Sequence, residues 1–360
     1  MKIIQFIGTR PELIKLAPVH WAARDLPGLS FTSYFTGQHV ELVSHLASEL
    51  DVHFRLLAGE RVPEGSLPDK IASIIVRAGH VIADEQPDMV IVQGDTMSAF
   101  ACAVAASYSR VAVAHVEAGL RTFDRMAPWP EENLRRQLTQ IADVHFAPTE
   151  VARQNLLGEG VAPHAIHVVG NTVIDAVCHI LESPGAKEPS LPDNGRKFGV
   201  LTMHRREMLL EKGASNILDC VKEVAEKLAI SFVFPVHPSP MLRQQISGSE
   251  AGSYLTLVDP VEYPTFIRML RMADLVITDS GGIQEEATFL KIPTICLRNV
   301  TERPEAVASG AVKLVGAHPA SLIEPAAEAL NMDRDSIAHT AFGSGHAARQ
   351  ILEHLTRRTT

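Results

Sequence analysis

The sequence predicts an α/β protein of two Rossmann-like, doubly wound domains, each built on a parallel sheet with covering helices. Short apolar runs alternate with longer amphipathic stretches, a pattern typical of buried parallel strands and their crossover helices. Both halves repeat this pattern, and the 360 residues exceed the size at which one hydrophobic core usually stops growing. We therefore expect two domains, with the first spanning 1–169 and the second 170–344.

Six apolar runs in each half are the predicted strands. The first set is Lys2–Gly8, Phe31–Phe35, Met89–Gln93, Val111–Val116, His145–Ala147 and Ile166–Val169. The second set is Phe198–Thr202, Ser231–Val236, Tyr254–Val258, Leu275–Thr278, Thr294–Leu297 and Val312–Val315. The stretches 59–69 and 183–196 contain prolines and glycines and predict loops. His346–Leu355 predicts an amphipathic C-terminal helix.

The composition is that of an ordinary globular protein, with 46% hydrophobic and 21% charged residues. A formal net charge of -9 argues against a broad surface for a nucleic-acid backbone. The four cysteines show no CxxC or Cys/His pairing, which predicts buried thiols in a reducing compartment. No apolar stretch approaches the roughly 18 residues of a membrane helix, so we expect a cytoplasmic protein with no membrane partner.

Site residues are expected directly after strands. The carboxyl ends of parallel strands meet at one edge of a sheet, and ligands of open α/β sheets bind at that edge. In two such domains the edges are expected to face a shared cleft.

The first segment of this kind is Gly8–Glu12, followed one helical turn later by Lys15. It is not a GxGxxG fingerprint, and the chain has no GxxxxGK[ST] motif, so neither a nicotinamide oxidoreductase nor a P-loop enzyme is favoured. Pro11 suits the first position of a helix, where Arg10 and Lys15 would lie near an N-terminus that stabilises anions. The alternative is a surface Arg and Lys on an ordinary helix.

A second anion-binding signal follows the predicted strand Leu275–Thr278, where Ser280, Gly281 and Gly282 lead into a helix. Small residues let backbone N–H groups approach a diphosphate. Glu286 lies one turn further on, where it is placed to accept hydrogen bonds from a ribose diol. The alternative is a plain Ser N-cap with a Gly turn.

Three carboxylates follow strand ends in the first half, namely Asp95, Glu117 and Glu131. Acids around one ligand perturb each other's pKa values and can divide acid and base duties. Taken singly, Asp95 and Glu131 also fit a helix cap or a first-turn acid. Together the three predict a site for acid–base chemistry.

Basic side chains follow strands in the second half. His204 and Arg205 come directly after one predicted strand, and Arg303 comes after another. Both segments are expected to supply positive charge to the same cleft. His237 follows a further strand, although a single histidine in that position is usually structural.

These motifs together resemble the non-hydrolysing UDP-N-acetylglucosamine 2-epimerases, which convert UDP-GlcNAc to UDP-ManNAc. The resemblance covers nearly the whole chain. Its ordered motifs are GTRPELIKLAPV at 8–19, TGQH at 36–39, GDT at 94–96, HVEAGLRT at 115–122, PWPEE at 128–132, FAPTE at 146–150, GNTVID at 170–175, HRRE at 204–207, TDSGGIQEEA at 278–287 and TERPEAV at 301–307.

The resemblance implies a glycosyltransferase-B type fold, with residues 345–360 returning to the N-terminal domain. It also implies a homodimer that eliminates and re-adds UDP through a glycal, without a metal or an organic cofactor. The implied catalytic residues are Asp95, Glu117, Glu131 and His204, with Arg136 and Asn171 in support. The implied substrate-binding residues are Arg10, Lys15, Phe266, Ser280, Gly281, Gly282, Glu286 and Arg303.

Bacterial members of the family bind a second substrate molecule beside the active site as an activator. Part of that implied second-substrate site is present, at Gln38, His39, Arg205 and His237. The chain departs from the family pattern at Met203 and Met208, and residues 55–70 match it poorly. These departures predict weakened or absent activation.

Several alternatives remain open. One is an epimerase for another UDP-acetamido sugar or a hydrolysing version that releases free ManNAc, and another is a glycosyltransferase of the same fold. A different class of protein is a catalytically silent UDP-sugar binder in a larger assembly. The Pro128–Glu132 and Arg303 motifs favour the simple epimerase. The intact acids argue against a silent binder, because binding alone does not require three acids around the sugar.

Overall fold

The computed structural model describes residues 1–37, 40–57, 62, 64–183, 189, 195–203, 213–236, 239–246, 254–317 and 319–357. Contacts among these residues divide the chain into two compact units. The first unit is Met1–Cys178 together with Gly343–Thr360, and the second is His179–Phe342.

The described part of the first unit is built on a seven-stranded parallel sheet. Its strands are β1 (Lys2–Ile7), β2 (Ser30–Phe35), β3 (Phe54–Leu56), β4 (Met89–Gln93), β5 (Ala112–Val116), β6 (Val144–Ala147) and β7 (Ile166–Val168). They lie in the order β3-β2-β1-β4-β5-β6-β7. The order reverses between β1 and β4, and such a switch point is where open α/β sheets bind ligands.

Helices connect these strands. They are α1 (Arg10–Arg24), α2 (Val40–Glu49), α3 (Leu67–Glu85), α4 (Met97–Tyr108), α5 (Glu131–Ile141), α6 (Glu150–Gly158) and α7 (Thr172–Glu182). Thr9, Thr96 and Thr149 each accept a hydrogen bond from the backbone N–H three residues later, which caps α1, α4 and α6. These helices therefore begin within a few residues of the strand before them, at the edge where a ligand is expected.

The second unit repeats the architecture with six described parallel strands in the order β10-β9-β8-β11-β12-β13. The strands are β8 (Lys197–Thr202), β9 (Ile230–Pro235), β10 (Leu255–Val258), β11 (Leu275–Thr278), β12 (Thr294–Cys296) and β13 (Val312–Leu314). The helices are α8 (Gly213–Lys227), α9 (Pro240–Ile246), α10 (Tyr263–Met272), α11 (Gly281–Phe289), α12 (Pro304–Ala308) and α13 (Ile323–Leu330). The strand order of this sheet also reverses, between β8 and β11.

The predicted fold class is confirmed, since each unit is a parallel sheet with alternating helices. All twelve predicted strands are present, and their ends agree with the prediction to within one residue. The strand that sequence analysis missed is β3, a three-residue edge strand whose Leu56 is 51% exposed. Among the helices of the described residues, none has both the length and the apolar character that a bilayer crossing requires.

The last helix, α14 (Ala347–Arg357), packs against α1 of the first unit. Asp175 of α7 caps its N-terminus: the two carboxylate oxygens accept hydrogen bonds from the backbone N–H groups of Ala347 (3.2 Å) and Ala348 (2.8 Å). Burial raises the pKa of Asp175 to about 6 even though these hydrogen bonds favour its charged form. Because the start of α7 holds α14 in this way, residues 170–178 group with the first unit.

We expect Asp175→Ala to lower the free energy of unfolding of the first unit by about 1–2 kcal/mol, the usual cost of losing a helix cap. Both tryptophans, Trp21 and Trp129, belong to this unit. Urea unfolding followed by tryptophan fluorescence therefore measures the effect.

The matched control is Asp333→Ala, because Asp333 caps an exposed single turn at Arg334–Ser336 in the second unit. It should leave the fluorescence midpoint in place. A midpoint for Asp175→Ala equal to that of the wild type would show that the cap does not stabilise the unit.

Candidate active site

The end of β1 leads into α1 through Gly8 and Thr9. Thr9 caps the helix and Pro11 lies in its first turn, where a missing N–H costs little. Arg10 is exposed, whereas Lys15, one turn later, is buried. The two cations predicted from this segment therefore lie in different surroundings, Arg10 in solvent at the helix start and Lys15 inside the unit.

Lys15 forms a buried ion pair with Glu117, the residue directly after β5. The same carboxylate oxygen accepts a 2.9 Å hydrogen bond from the side-chain amide of Asn171. Glu117 has a φ of 64°, a left-handed conformation that is uncommon for a residue other than glycine and is concentrated at functional sites. The ion pair with Lys15 places the carboxylate of Glu117 against α1.

Asp95 follows β4, the strand between β1 and β5. The turn before it is held by β5: Gly94 has a φ of 72°, and its carbonyl accepts a 2.7 Å hydrogen bond from His115. Burial lowers the pKa of His115 to about 3, so this imidazole is neutral at physiological pH and serves to hold the turn. The Asp95 carboxylate is paired with the buried guanidinium of Arg135 from α5.

Glu132 joins α5 to the segment that follows β5. It is fully buried and accepts hydrogen bonds from the backbone N–H groups of Thr122 (3.0 Å) and Phe123 (3.3 Å). It also pairs with Arg136 (3.0 Å) and with Arg135 (3.3 Å). Arg135 therefore connects Glu132 to the carboxylate at the end of β4.

Glu131 is the first residue of α5 and is half-buried. A carboxylate is stabilised at a helix N-terminus, and Arg135 lies four residues later on the same helix face. The first unit thus brings Asp95, Glu117 and Lys15 to the carboxyl edge of three neighbouring strands, β1, β4 and β5.

The second unit has its own helix N-terminus after a strand. Ser280 lies at the N-cap position of α11, but its hydroxyl makes no cap hydrogen bond within the described residues. Its backbone N–H instead donates to the hydroxyl of Thr278 (3.0 Å), which also bonds the hydroxyl of Thr202 (2.6 Å). A plain Ser N-cap, the alternative considered from the sequence, is therefore not what the structure contains.

Arg303 packs against the first residue of α11. Its Nε donates to Glu285 (2.7 Å) and its Nη1 to Glu302 (2.5 Å), while Arg298 pairs with the other oxygen of Glu302 at 2.8 Å. A methyl group at Gly281 would lie 2.6 Å from Nη1 of Arg303. The guanidinium that sequence analysis expected to be a cation for a ligand is thus bound to two carboxylates, and it approaches the helix because Gly281 has no side chain.

Glu286, one turn inside α11, accepts a 2.7 Å hydrogen bond from the hydroxyl of Tyr263. Both side chains are buried. Phe266, predicted to lie near a uracil, follows Tyr263 on α10 and is partly exposed. Tyr263 therefore orients the predicted ribose acceptor.

The site residues predicted from the sequence do not include Glu12, Glu132, Arg135 or Tyr263. The pairing of Glu132 with Arg135 and Arg136 was detectable in principle, since acids three and four residues before arginines on a helix face signal ion pairs. Tyr263 and Glu286 come from different helices, and no local pattern connects them. Five predicted site residues lie outside the described residues: Gln38, His39, His204, Arg205 and His237.

The fold and these residues define an α/β enzyme with paired acids and cations at the carboxyl edge of one sheet and a glycine-containing helix N-terminus after a strand of the other. A family described as UDP-N-acetylglucosamine 2-epimerase matches residues 22–356. The UDP-N-acetylglucosamine 2-epimerase of Escherichia coli K12 is 38% identical over 99% of this chain and 98% of its own length. The chain belongs to the UDP-N-acetylglucosamine 2-epimerase family.

One solved structure supports the same assignment, and a second supports the fold. The UDP-GlcNAc 2-epimerase of Neisseria meningitidis, crystallised with UDP-GlcNAc, is 35% identical and has a TM-score of 0.90, covering 99% of this chain and 100% of its own. A glycotransferase of kitacinnamycin is only 12% identical, with a TM-score of 0.66 over 98% of this chain and 99% of its own, and this likeness concerns the fold alone. The predicted family, the glycosyltransferase-B type of fold and the class of enzyme, an isomerase, are confirmed. Family membership supports UDP-N-acetylglucosamine 2-epimerase activity.

We expect Gly281→Ala to destabilise the second unit by about 1–3 kcal/mol, because the new methyl group displaces Arg303 from a close-packed position. Gly282→Ala is the matched control, since a methyl group there meets no atom within 4 Å. It should stabilise α11 by up to about 1 kcal/mol through helix propensity. Urea unfolding followed by circular dichroism measures both, and equal effects of the two substitutions would contradict the packing described for Arg303.

Proposed function

We propose that this protein interconverts UDP-GlcNAc and UDP-ManNAc by eliminating UDP and adding it back through a glycal. The observation that carries the proposal is the arrangement of Glu117 and Asp95 at the ends of two neighbouring strands, each paired with a buried cation, Lys15 or Arg135. The family to which the chain belongs supports the overall activity.

The chemistry explains why acids are required. The hydrogen on C2 of an N-acetylhexosamine is not next to a carbonyl, so direct deprotonation at C2 is prohibitive. When the anomeric C–O bond breaks, UDP leaves with the bonding electron pair and C1 gains oxocarbenium character. That change acidifies C2–H, and loss of the proton to a carboxylate forms the C1–C2 double bond of the glycal.

The return step reverses these events, except that the proton is delivered to the other face of C2. An acid delivers a proton to C2, the double bond electrons form the new C–H bond, and UDP adds back to C1. The configuration at C2 is then inverted, and no net proton or electron is consumed. We assign these proton transfers to Asp95, Glu117 and Glu131.

The remaining predicted residues are proposed to bind UDP. A helix N-terminus with small residues binds a diphosphate through backbone N–H groups, which is the role proposed for Gly281 and Gly282. Ser280 beside them is also a proposed UDP-binding residue. Glu286, oriented by Tyr263, is suited to accept hydrogen bonds from the ribose hydroxyls. Arg10, Lys15, Phe266 and Arg303 are the further proposed binding residues, and His204 is proposed to act beside the leaving UDP.

The test is incubation of the purified protein with UDP-GlcNAc in deuterium oxide, followed by proton NMR. Appearance of UDP-ManNAc with deuterium at C2 of both sugar nucleotides would support elimination and re-addition. Free ManNAc together with UDP would instead show a hydrolysing enzyme. No change with UDP-GlcNAc would overturn the proposal, and other UDP-acetamido sugars in the same assay would then identify the substrate.

We expect Glu117→Gln to lower kcat by about 10²–10⁴-fold, the usual contribution of a positioned acid or base. The amide keeps the shape of the side chain but cannot take up a proton, and the rate of UDP-ManNAc formation measures the loss.

The matched control is Glu150→Gln. Glu150 is exposed, lies at the start of α6 in the same unit, and pairs with Arg153 on the surface at 2.8 Å. This variant should retain the wild-type rate. Equal rates for Glu117→Gln and the wild type would remove Glu117 from the mechanism.

A further inference from the structure

Glu12 is a buried acid of the first unit that the proposed reaction does not use. It lies in the first turn of α1, and only 1% of its surface is exposed. One of its oxygens, Oε1, accepts a 2.9 Å hydrogen bond from the hydroxyl of Thr96. Glu12 thereby connects the helix that follows β1 to the turn that follows β4.

The backbone of Gly8 compensates the charge of this carboxylate only weakly. Within the described residues Oε2 is buried and has no hydrogen-bond partner. It faces the main chain of Gly8, because a methyl group at Gly8 would lie 3.0 Å from it. A charged carboxylate in this position would carry a large desolvation cost, whereas a neutral acid would not.

The surroundings of Glu12 also favour the neutral acid. Burial raises its pKa to about 7 and the charge of Asp95 adds to this shift, which outweighs the hydrogen bonds with Thr9, Thr96 and the backbone of Gly8 that favour the charged form. The titratable neighbour from α4 is Cys102, whose buried thiol has a pKa raised well above its usual value and is therefore uncharged. The guanidinium of Arg135 from α5 is paired with Asp95.

Thr96 connects Glu12 to the proposed active site. Its hydroxyl has one hydrogen, which it donates to Glu12, and it accepts the backbone N–H of Ala99 at 3.0 Å as the cap of α4. Both hydrogen-bonding roles of the hydroxyl are thus fixed, and Asp95 is the residue immediately before it.

We propose that Glu12, as a neutral carboxylic acid, is a positioning residue for the epimerisation: it fixes the Asp95–Thr96 turn against the start of α1 without adding its own negative charge beside Asp95. This inference rests on the proposed function, because it assigns Asp95 to the proton transfers. Loss of the proton from Glu12 places a second negative charge beside Asp95 and weakens the reaction.

The test compares Glu12→Gln with the wild type over pH 5.5–8.5. The glutamine has the shape of the neutral acid and cannot ionise. The neutral form of Glu12 is present below its pKa and lost as pH rises through about 7. The ratio of kcat for Glu12→Gln to kcat for the wild type should therefore rise about tenfold by one pH unit above that pKa, with KM changing little. A ratio that stays constant across this range would overturn the proposal.

Two substitutions at Thr96 provide an independent check if Glu12→Gln folds poorly. Thr96→Ser keeps the hydroxyl and should keep kcat within about twofold of the wild type, whereas Thr96→Val removes the contact with Glu12 and should lower kcat at least tenfold. The same loss in both variants, or a loss in neither, would contradict the role of the contact.

Failure of this proposal is distinguishable from failure of the proposed function. A wild-type enzyme that produces no deuterated UDP-ManNAc overturns the function and, with it, this role. An active wild type whose kcat ratio does not depend on pH overturns only the role of Glu12. A stability measurement is the remaining control. Folding raises the pKa of Glu12 from 4.5 to about 7. The free energy of unfolding of the wild type, relative to that of Glu12→Gln, should therefore fall as pH rises from 4.5 to about 7.

Discussion

The buried ion pair between Lys15 and Glu117 is the interaction on which the first unit's site depends. It connects the start of α1 to the end of β5, and β4 with Asp95 lies between these elements. Breaking such a pair from one side leaves a buried charge without a partner, at a typical cost of about 3–5 kcal/mol. The left-handed backbone of Glu117 and the amide of Asn171 are both arranged around this contact.

In both units, buried carboxylates are paired with arginines. In the first, Asp95 and Glu132 are balanced by Arg135 and Arg136. In the second, Glu285 and Glu302 are balanced by Arg303 and Arg298. In each cluster the two named acids are matched by two arginines. The cluster can therefore offer hydrogen-bonding groups without a large net charge. This is compatible with a chain whose formal net charge is -9 and whose proposed ligand is an anion.

Twelve of the thirteen strands in the described residues were predictable because each is a short apolar run, and the helix starts were detectable where threonine or serine follows a strand. What the sequence could not predict was the pairing of side chains that lie far apart in the chain. Lys15 and Glu117 are 102 positions apart, and sequence analysis assigned them to different tasks. Arg303 was expected to be a cation for a ligand, but its carboxylate partners come from another helix and from its own neighbour. Such pairings depend on how strands are ordered in the sheet, which local patterns do not encode.

The first unit is assembled from both ends of the chain, with the whole second unit inserted between them. Synthesis on the ribosome proceeds from the N-terminus, and domains tend to fold as they emerge. The second unit is therefore fully synthesised before α14 is made. The first unit begins earlier but can be completed only afterwards. Until α14 has left the ribosome, the surface of α1 that it covers stays open to solvent or to a chaperone, so the second unit can fold without any help from a completed first one.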